Sequence, residues 1–286
     1  MASARGFTLL ELVVVMVVIA VLAVASTRFI QLSTDSYLAV NRRAQVLDVA
    51  DGAVRRLARD LRLALPNSVR VGGAGKFLEY APTSNGGRYL AESGVAPLTD
   101  ILNFTAADSS FDYLGPSLAG ASGYVVVFNT GQTSVSGCAV APGGADVYEG
   151  CNRSAITAVT ASKVSFSALQ FPFDSPGHRF HIVPAAGPVT IACENVNTVN
   201  GNGSGTLRLY SNYATGAGNW GGAAPSAAPT AAGRTVNLLA DNVSGCSIAY
   251  VSGVTAGNGL VTLRLEIKRG GETITLHHQV HVDNVP

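Results

Sequence analysis

Apolar positions along this chain follow two rhythms, and the change between them falls at Pro66. From Phe7 to Ala25, nineteen residues hold a single charge, Glu11, between the flanking Arg5 and Arg28. As a helix of about 1.5 Å per residue they span roughly 28 Å, close to the apolar core of a bilayer. From Ser26 to Leu65 there is no Pro and one Gly, Gly52, and apolar residues recur at helical spacing at Ala50, Val54, Leu57, Leu61 and Ala64. The opposite face carries Asp51, Arg55, Arg56, Arg59, Asp60 and Arg62, in which Asp51–Arg55 and Arg56–Asp60 are i,i+4 pairs. Pro66 and Asn67 stop the helix. The pattern therefore predicts a transmembrane part over 7–25 and an amphipathic part over 26–65, together on the order of 88 Å long.

Beyond Pro66, short alternating runs are separated by Gly, Asn and Pro clusters, the pattern of a β-rich head over 67–286. Strands are predicted at Tyr124–Asn129, Lys163–Phe171, Arg179–Val183, Val189–Cys193 and Thr206–Tyr210. The clearest unit is the last. "LVTLRLEIK" turns Val261, Leu263, Leu265 and Ile267 to one face, "RGGE" makes a tight turn, and "TITLHHQVHV" returns with Ile274, Leu276, His278, Val280 and Val282 inward. "GAGNWGGAAPSAAPTAAG", over 216–233, reads as a long exposed loop around Trp220.

Composition adds three constraints. Charged residues are only 13% and the net charge is +1, so no global field points to nucleic acid. The helix alone is locally basic, with Arg42, Arg43, Arg55, Arg56, Arg59 and Arg62 against Asp48, Asp51 and Asp60. A solvated face accounts for that excess more simply than anionic lipid or an acidic neighbour. The four cysteines, Cys138, Cys151, Cys193 and Cys246, include no C-x-x-C and no zinc spacing, so two disulfides in an oxidising compartment are the better reading. Of three connectivities, the nearest-neighbour one, Cys138–Cys151 with Cys193–Cys246, is preferred; closing the short loop contributes about 3 kcal/mol in the entropic model.

Catalytic chemistry finds no foothold. "GNGSGT" around Ser204 has Asn202 where a nucleophile elbow needs Gly, and "GGAGKF" near Lys76 lacks the spacing of a P-loop. His277 and His281 share a strand face but stand about 13 Å apart, with His278 on the other side, so that set alone chelates no metal. The triplets at Asn103, Asn152, Asn202 and Asn242 are what chance gives in a chain this rich in Asn, Ser and Thr. The expectation is a protein without enzymatic activity or cofactor.

Glu11 is the anomaly, since a carboxylate at the centre of a bilayer helix costs about 2.5–3.5 kcal/mol. A cleaved secretory signal, for which "AVA" at Ala23–Ala25 offers a cleavage site, leaves the carboxylate unexplained, and so does a plain signal anchor. "RGFTLLELVVVMVVIAVLAVA" resembles the class III leader of type IV pilins and pseudopilins: a short basic leader ending in Gly, then Phe-Thr-Leu-x-Glu, then an apolar helix. Further segments, among them "RRLARDLRLALPNSVRV", "FLEYAPTSNGGRYLAE", "YEGCNR" and "SPGHRFHIV", are similar to the MshO family of minor pilins of mannose-sensitive haemagglutinin (MSHA) pili. The closing "LLADNVSGCSIAY" and the hairpin after it look like a PilW or J-type minor pseudopilin ending.

The resemblance implies an α+β pilin-like fold, a long N-terminal helix packed on a disulfide-bonded antiparallel sheet. It implies removal of the leader 1–6 by a prepilin peptidase between Gly6 and Phe7, with N-methylation of Phe7. Glu11 then becomes the fifth mature residue and pairs with the N-terminal ammonium of a neighbouring subunit, which recovers much of the cost of the buried charge and fixes register. Partners would be other major and minor pilins. The protein would sit in the inner membrane as a single-pass subunit with a periplasmic head, reaching the pilus tip as a priming or capping minor pilin. Two other readings are an adhesin that uses the Trp220 loop on the same scaffold, and a soluble secreted protein released after Ala25.

Overall fold

The computed structural model describes residues 8–92, 94, 96–134, 138, 144–214, 220–221, 223–255 and 257–286. Two compact units make up the chain, Met1–Asp48 and Val49–Pro286. A single helix, α1, is assigned from Leu9 to Arg62. In the first unit its side chains from Leu9 to Gln31 are all exposed. A helix apolar all round has nothing of its own to bury against and needs lipid or other helices. Thr27 and Thr34 donate their hydroxyls to the carbonyls of Ala23 and Ile30, which keeps polar groups satisfied inside the helix.

In the second unit α1 buries Ala50, Ala53, Val54, Leu57, Ala58 and Leu61. The stripe is wider than the periodicity predicts because Ala53 and Ala58 join it. Both ion pairs of the opposite face are present, Asp51–Arg55 at 2.6 Å and Arg56–Asp60 at 3.8 Å. The helix ends three residues before the predicted Leu65. There Leu63 and Ala64 turn back to Asp60 and Leu61, while Leu65 donates instead to the Ala81 carbonyl at 2.8 Å. Pairing with the following segment outcompetes one more helical turn.

The head holds a seven-stranded antiparallel sheet. Its strands are β1 (Arg70–Gly72), β2 (Phe77–Tyr80), β9 (Val189–Glu194), β12 (Gly205–Ser211), β13 (Thr235–Thr255), β14 (Asn258–Arg269) and β15 (Glu272–Asp283), in that order across the sheet. The architecture is α+β and pilin-like, a long apolar N-terminal helix followed by an antiparallel sheet domain with two disulfides. Gly270 and Gly271, with φ of 59° and 82°, form the two-residue turn of the β14–β15 hairpin, whose register runs from Arg269↔Glu272 to Asn258↔Asp283 without a shift. Positive φ at both positions favours Gly and matches the strand twist. Val261, Leu263, Leu265 and Ile267 are buried as the alternation predicts, and so are Val280 and Val282. Ile274, Leu276 and His278 are only half-buried, because β15 is the last strand of the sheet.

Six further strands close into a barrel: β3 (Asn85–Tyr89), β4 (Asp108–Leu114), β7 (Lys163–Leu169), β6 (Arg153–Val159), β5 (Tyr124–Val127) and β8 (Arg179–Val183). Its interior is aromatic, with Phe111, Phe166, Phe171 and Phe180 almost fully buried. A two-stranded hairpin, β10 (Thr198–Val199) with β11 (Asn202–Gly203), holds the tip of the β14–β15 turn: Gly270 donates to Asn202 Oδ1 and Gly271 to the Gly201 carbonyl.

One expectation needs correction. Trp220 is not displayed by an exposed loop. It is 8% exposed, edge-on to Tyr124 with ring centroids 5.2 Å apart, under the Arg153 guanidinium at 3.6 Å, and its amide donates to the Tyr148 carbonyl. An indole buries far more apolar surface than the small residues around it, so it draws its segment onto the head. Residues 216–219 and 222 of that segment lie outside the described residues.

Candidate assembly site at the N-terminal helix

Gly6 and Phe7, the predicted processing residues, lie outside the described residues. The structure begins its account at Thr8, which caps α1. The Thr8 hydroxyl accepts from the Glu11 amide at 3.3 Å, and the Thr8 carbonyl accepts the first helical bond, from Leu12, at 3.2 Å. Thr-x-x-Glu is the spacing of a capping box, a signal legible in the sequence beside the anomalous charge. Glu11 therefore stands exposed in the first turn of the helix, where the positive end of the helix dipole favours a carboxylate. Around it every side chain from Leu9 to Gln31 is exposed, and those from Leu9 to Ala25 are otherwise all apolar. Once those side chains enter lipid or a helix bundle, the carboxylate loses water, a loss that uptake of a proton or a cation from another group offsets. Ala23–Ala25, the alternative cleavage site, lies inside the continuous helix.

The cysteines pair as Cys138–Cys151 and Cys193–Cys246. The second bridge joins β9 to β13, which flank β12, and so staples three strands. Buried polar groups hold the region where sheet and barrel meet. Glu79 accepts from Arg70 Nε at 2.6 Å and from the Tyr213 hydroxyl at 2.6 Å, and Arg70 lies 3.5 Å from the Tyr148 ring centre. Tyr148 donates to the Ser68 carbonyl at 2.7 Å. Burial pushes the Tyr148 and Tyr213 hydroxyls well above the ordinary phenol range, with nearby Glu79 adding to it. Burial also lowers the Arg153 guanidinium to about 10, against the opposing pull of Tyr124 and Asp146. Each of these groups serves another within the head, and none is poised as a base beside a nucleophile.

His277 and His281 lie exposed on one side of β15 and His278 half-buried on the other. Among the described residues no three His, Cys, Asp or Glu side chains converge.

With this geometry in view, comparison with known proteins gives one match. Residues 1–27 fit the model of the prokaryotic N-terminal methylation motif. No curated protein and no solved structure matches the chain. The motif marks a type IV prepilin-like N-terminus and supports a type IV pilin-like protein, with processing by a prepilin peptidase and a pilin assembly context. α1 is long and apolar enough to cross a membrane, consistent with the anchoring of a pilin.

Proposed function

We propose that the protein is a low-copy minor pilin of the MSHA type, which primes or caps assembly of a type IV pilus. The observation that carries this reading is the methylation motif over residues 1–27 leading into a Thr8-capped apolar helix with one exposed carboxylate, Glu11. In this reading the leader 1–6 is removed after Gly6, Phe7 becomes an N-methylated terminus, and Glu11 pairs with the Phe7 ammonium of a neighbour. The head faces the periplasm until the subunit enters the pilus. A tip or priming place is favoured by bulk, since the sheet together with a barrel is hard to pack repeatedly around a thin shaft. The role is structural.

Glu11→Gln tests the pairing. Gln still serves in a capping box, so the helix start is kept while the charge is lost. The expected outcome is normal processing but loss of the subunit from sheared filaments, measured by immunoblot against the membrane fraction. Normal incorporation of the Gln variant would leave Glu11 with capping alone and defeat the pairing.

A further inference from the structure

Edges of β-sheets template the binding of other strands, and folded proteins blunt them with short strands, bulges, Pro, Lys or cover. This head does so almost everywhere. The barrel is closed and has no edge. At one side of the large sheet β1 is only three residues long, and the Pro225 carbonyl lies close against Gly72 at its end. At the other side β15 runs twelve residues with no bulge, no Pro and no Lys, and no described strand pairs with its outer edge.

We propose that this edge of β15 receives an extended segment of another protein, which adds antiparallel to it as an eighth strand. The chemistry of that segment can be read from the edge. Between Glu272 and Asp283 no residue is Asp, Glu, Lys or Arg, so the centre of the incoming strand is uncharged, and the end that lies beside Asp283 is basic. On the core face Ile274, Leu276 and His278 form a half-covered shelf, so the strand brings apolar side chains to that face. On the other face Thr273, Thr275, His277 and Gln279 are exposed, and small hydroxyl or amide side chains fit beside them. The two-residue turn makes Arg269↔Glu272 its closing hydrogen-bonded pair. Alternation then directs the amides of residues 273, 275, 277, 279 and 281 away from β14, toward the incoming strand.

A second copy of this chain fits less well. Antiparallel self-pairing of β15 brings Glu272 of one copy, and no basic residue, to the Asp283 end of the other.

The test uses the full-length protein in detergent and a synthetic peptide of alternating Val and Thr with Lys at its N-terminal end, the end that lies beside Asp283 in antiparallel pairing. A peptide of the same composition in shuffled order is the control. Expected are binding at least about tenfold tighter for the alternating peptide, slowed hydrogen exchange at the odd-numbered amides of 273–281, and loss of both in the Thr275→Pro, Gln279→Pro double variant. Those prolines remove only outward amides, and an unchanged melting temperature verifies the fold. Equal binding of the two peptides, or protection elsewhere than β15, overturns the proposal even if the proline variant misfolds. Self-association of the peptide-free protein through β15, seen by sedimentation and abolished by the prolines, overturns the partner in favour of a second copy. None of these outcomes bears on how the N-terminus is processed.

Discussion

His181 sits on β8 with its Nε2 buried and no hydrogen-bond partner. Burial depresses its pKa below the usual 6.5, neighbouring Arg179 acts the same way, and Asp283 opposes. The folded state thus favours neutral imidazole, and the stability this contributes is present above 6.5 and lost as pH falls toward the lower folded value. Asp60 and Asp146, raised from 3.8 chiefly by burial, have the opposite sign, over a window that opens at 3.8 and extends upward. Denaturant unfolding across pH 5 to 7 is expected to show declining stability toward pH 5, with a shallower decline in His181→Gln; identical slopes would refute it. Trp220 acts at the same scale through packing. Truncation to Ala is expected to cost about 3–5 kcal/mol by removing a buried indole and leaving a cavity, read as a drop in the unfolding midpoint. A loss below 1 kcal/mol would mean that the segment around Trp220 is not held by its indole. Neither residue was legible as a core element in the sequence. A lone Trp among Gly and Ala looks like loop, because the pockets that receive it come from β5, β6 and Tyr148, distant along the chain.

Elements differ in how much of themselves they carry locally. The β14–β15 hairpin was legible in full because alternation, a Gly-Gly turn and the return strand are contiguous. β13 was not: its 21 residues include Asp241, Asn242 and two Gly, and registers shift on both of its flanks. Such bulges break the alternation on which a strand reading depends. The barrel escaped for a related reason, since its closure by β3 with β8 joins segments about ninety residues apart and leaves no local trace. α1 was predicted well except at its end, which tertiary pairing set. Within it Gly52 is exposed and a Cβ there would meet nothing within 4 Å. Gly52→Ala is therefore expected to stabilise the head by about 0.5–1 kcal/mol, measured by chemical denaturation. Destabilisation would show that α1 needs Gly at that position.

At the scale of the whole molecule, the two units meet different demands. The first presents apolar residues on every side from Leu9 to Ala25, with one exposed carboxylate, Glu11, in the first turn of its helix. The second buries its own core, ties β9 to β13 with a disulfide, closes one set of strands into a barrel and leaves β15 as its one long sheet edge among the described residues. The first demand was readable at once, since Glu11 in an apolar run is a contradiction visible within a few residues of sequence. The role of the head lies in surfaces that no sequence motif marks. The central claim, that the chain is processed as a prepilin, is tested most directly by the N-terminus of the mature protein purified from its own membranes. Intact mass and N-terminal peptide analysis are expected to show a chain that begins with N-methylated Phe7. A chain that begins at Ser26 would contradict the account, because the apolar start of α1 and Glu11 with it would be gone.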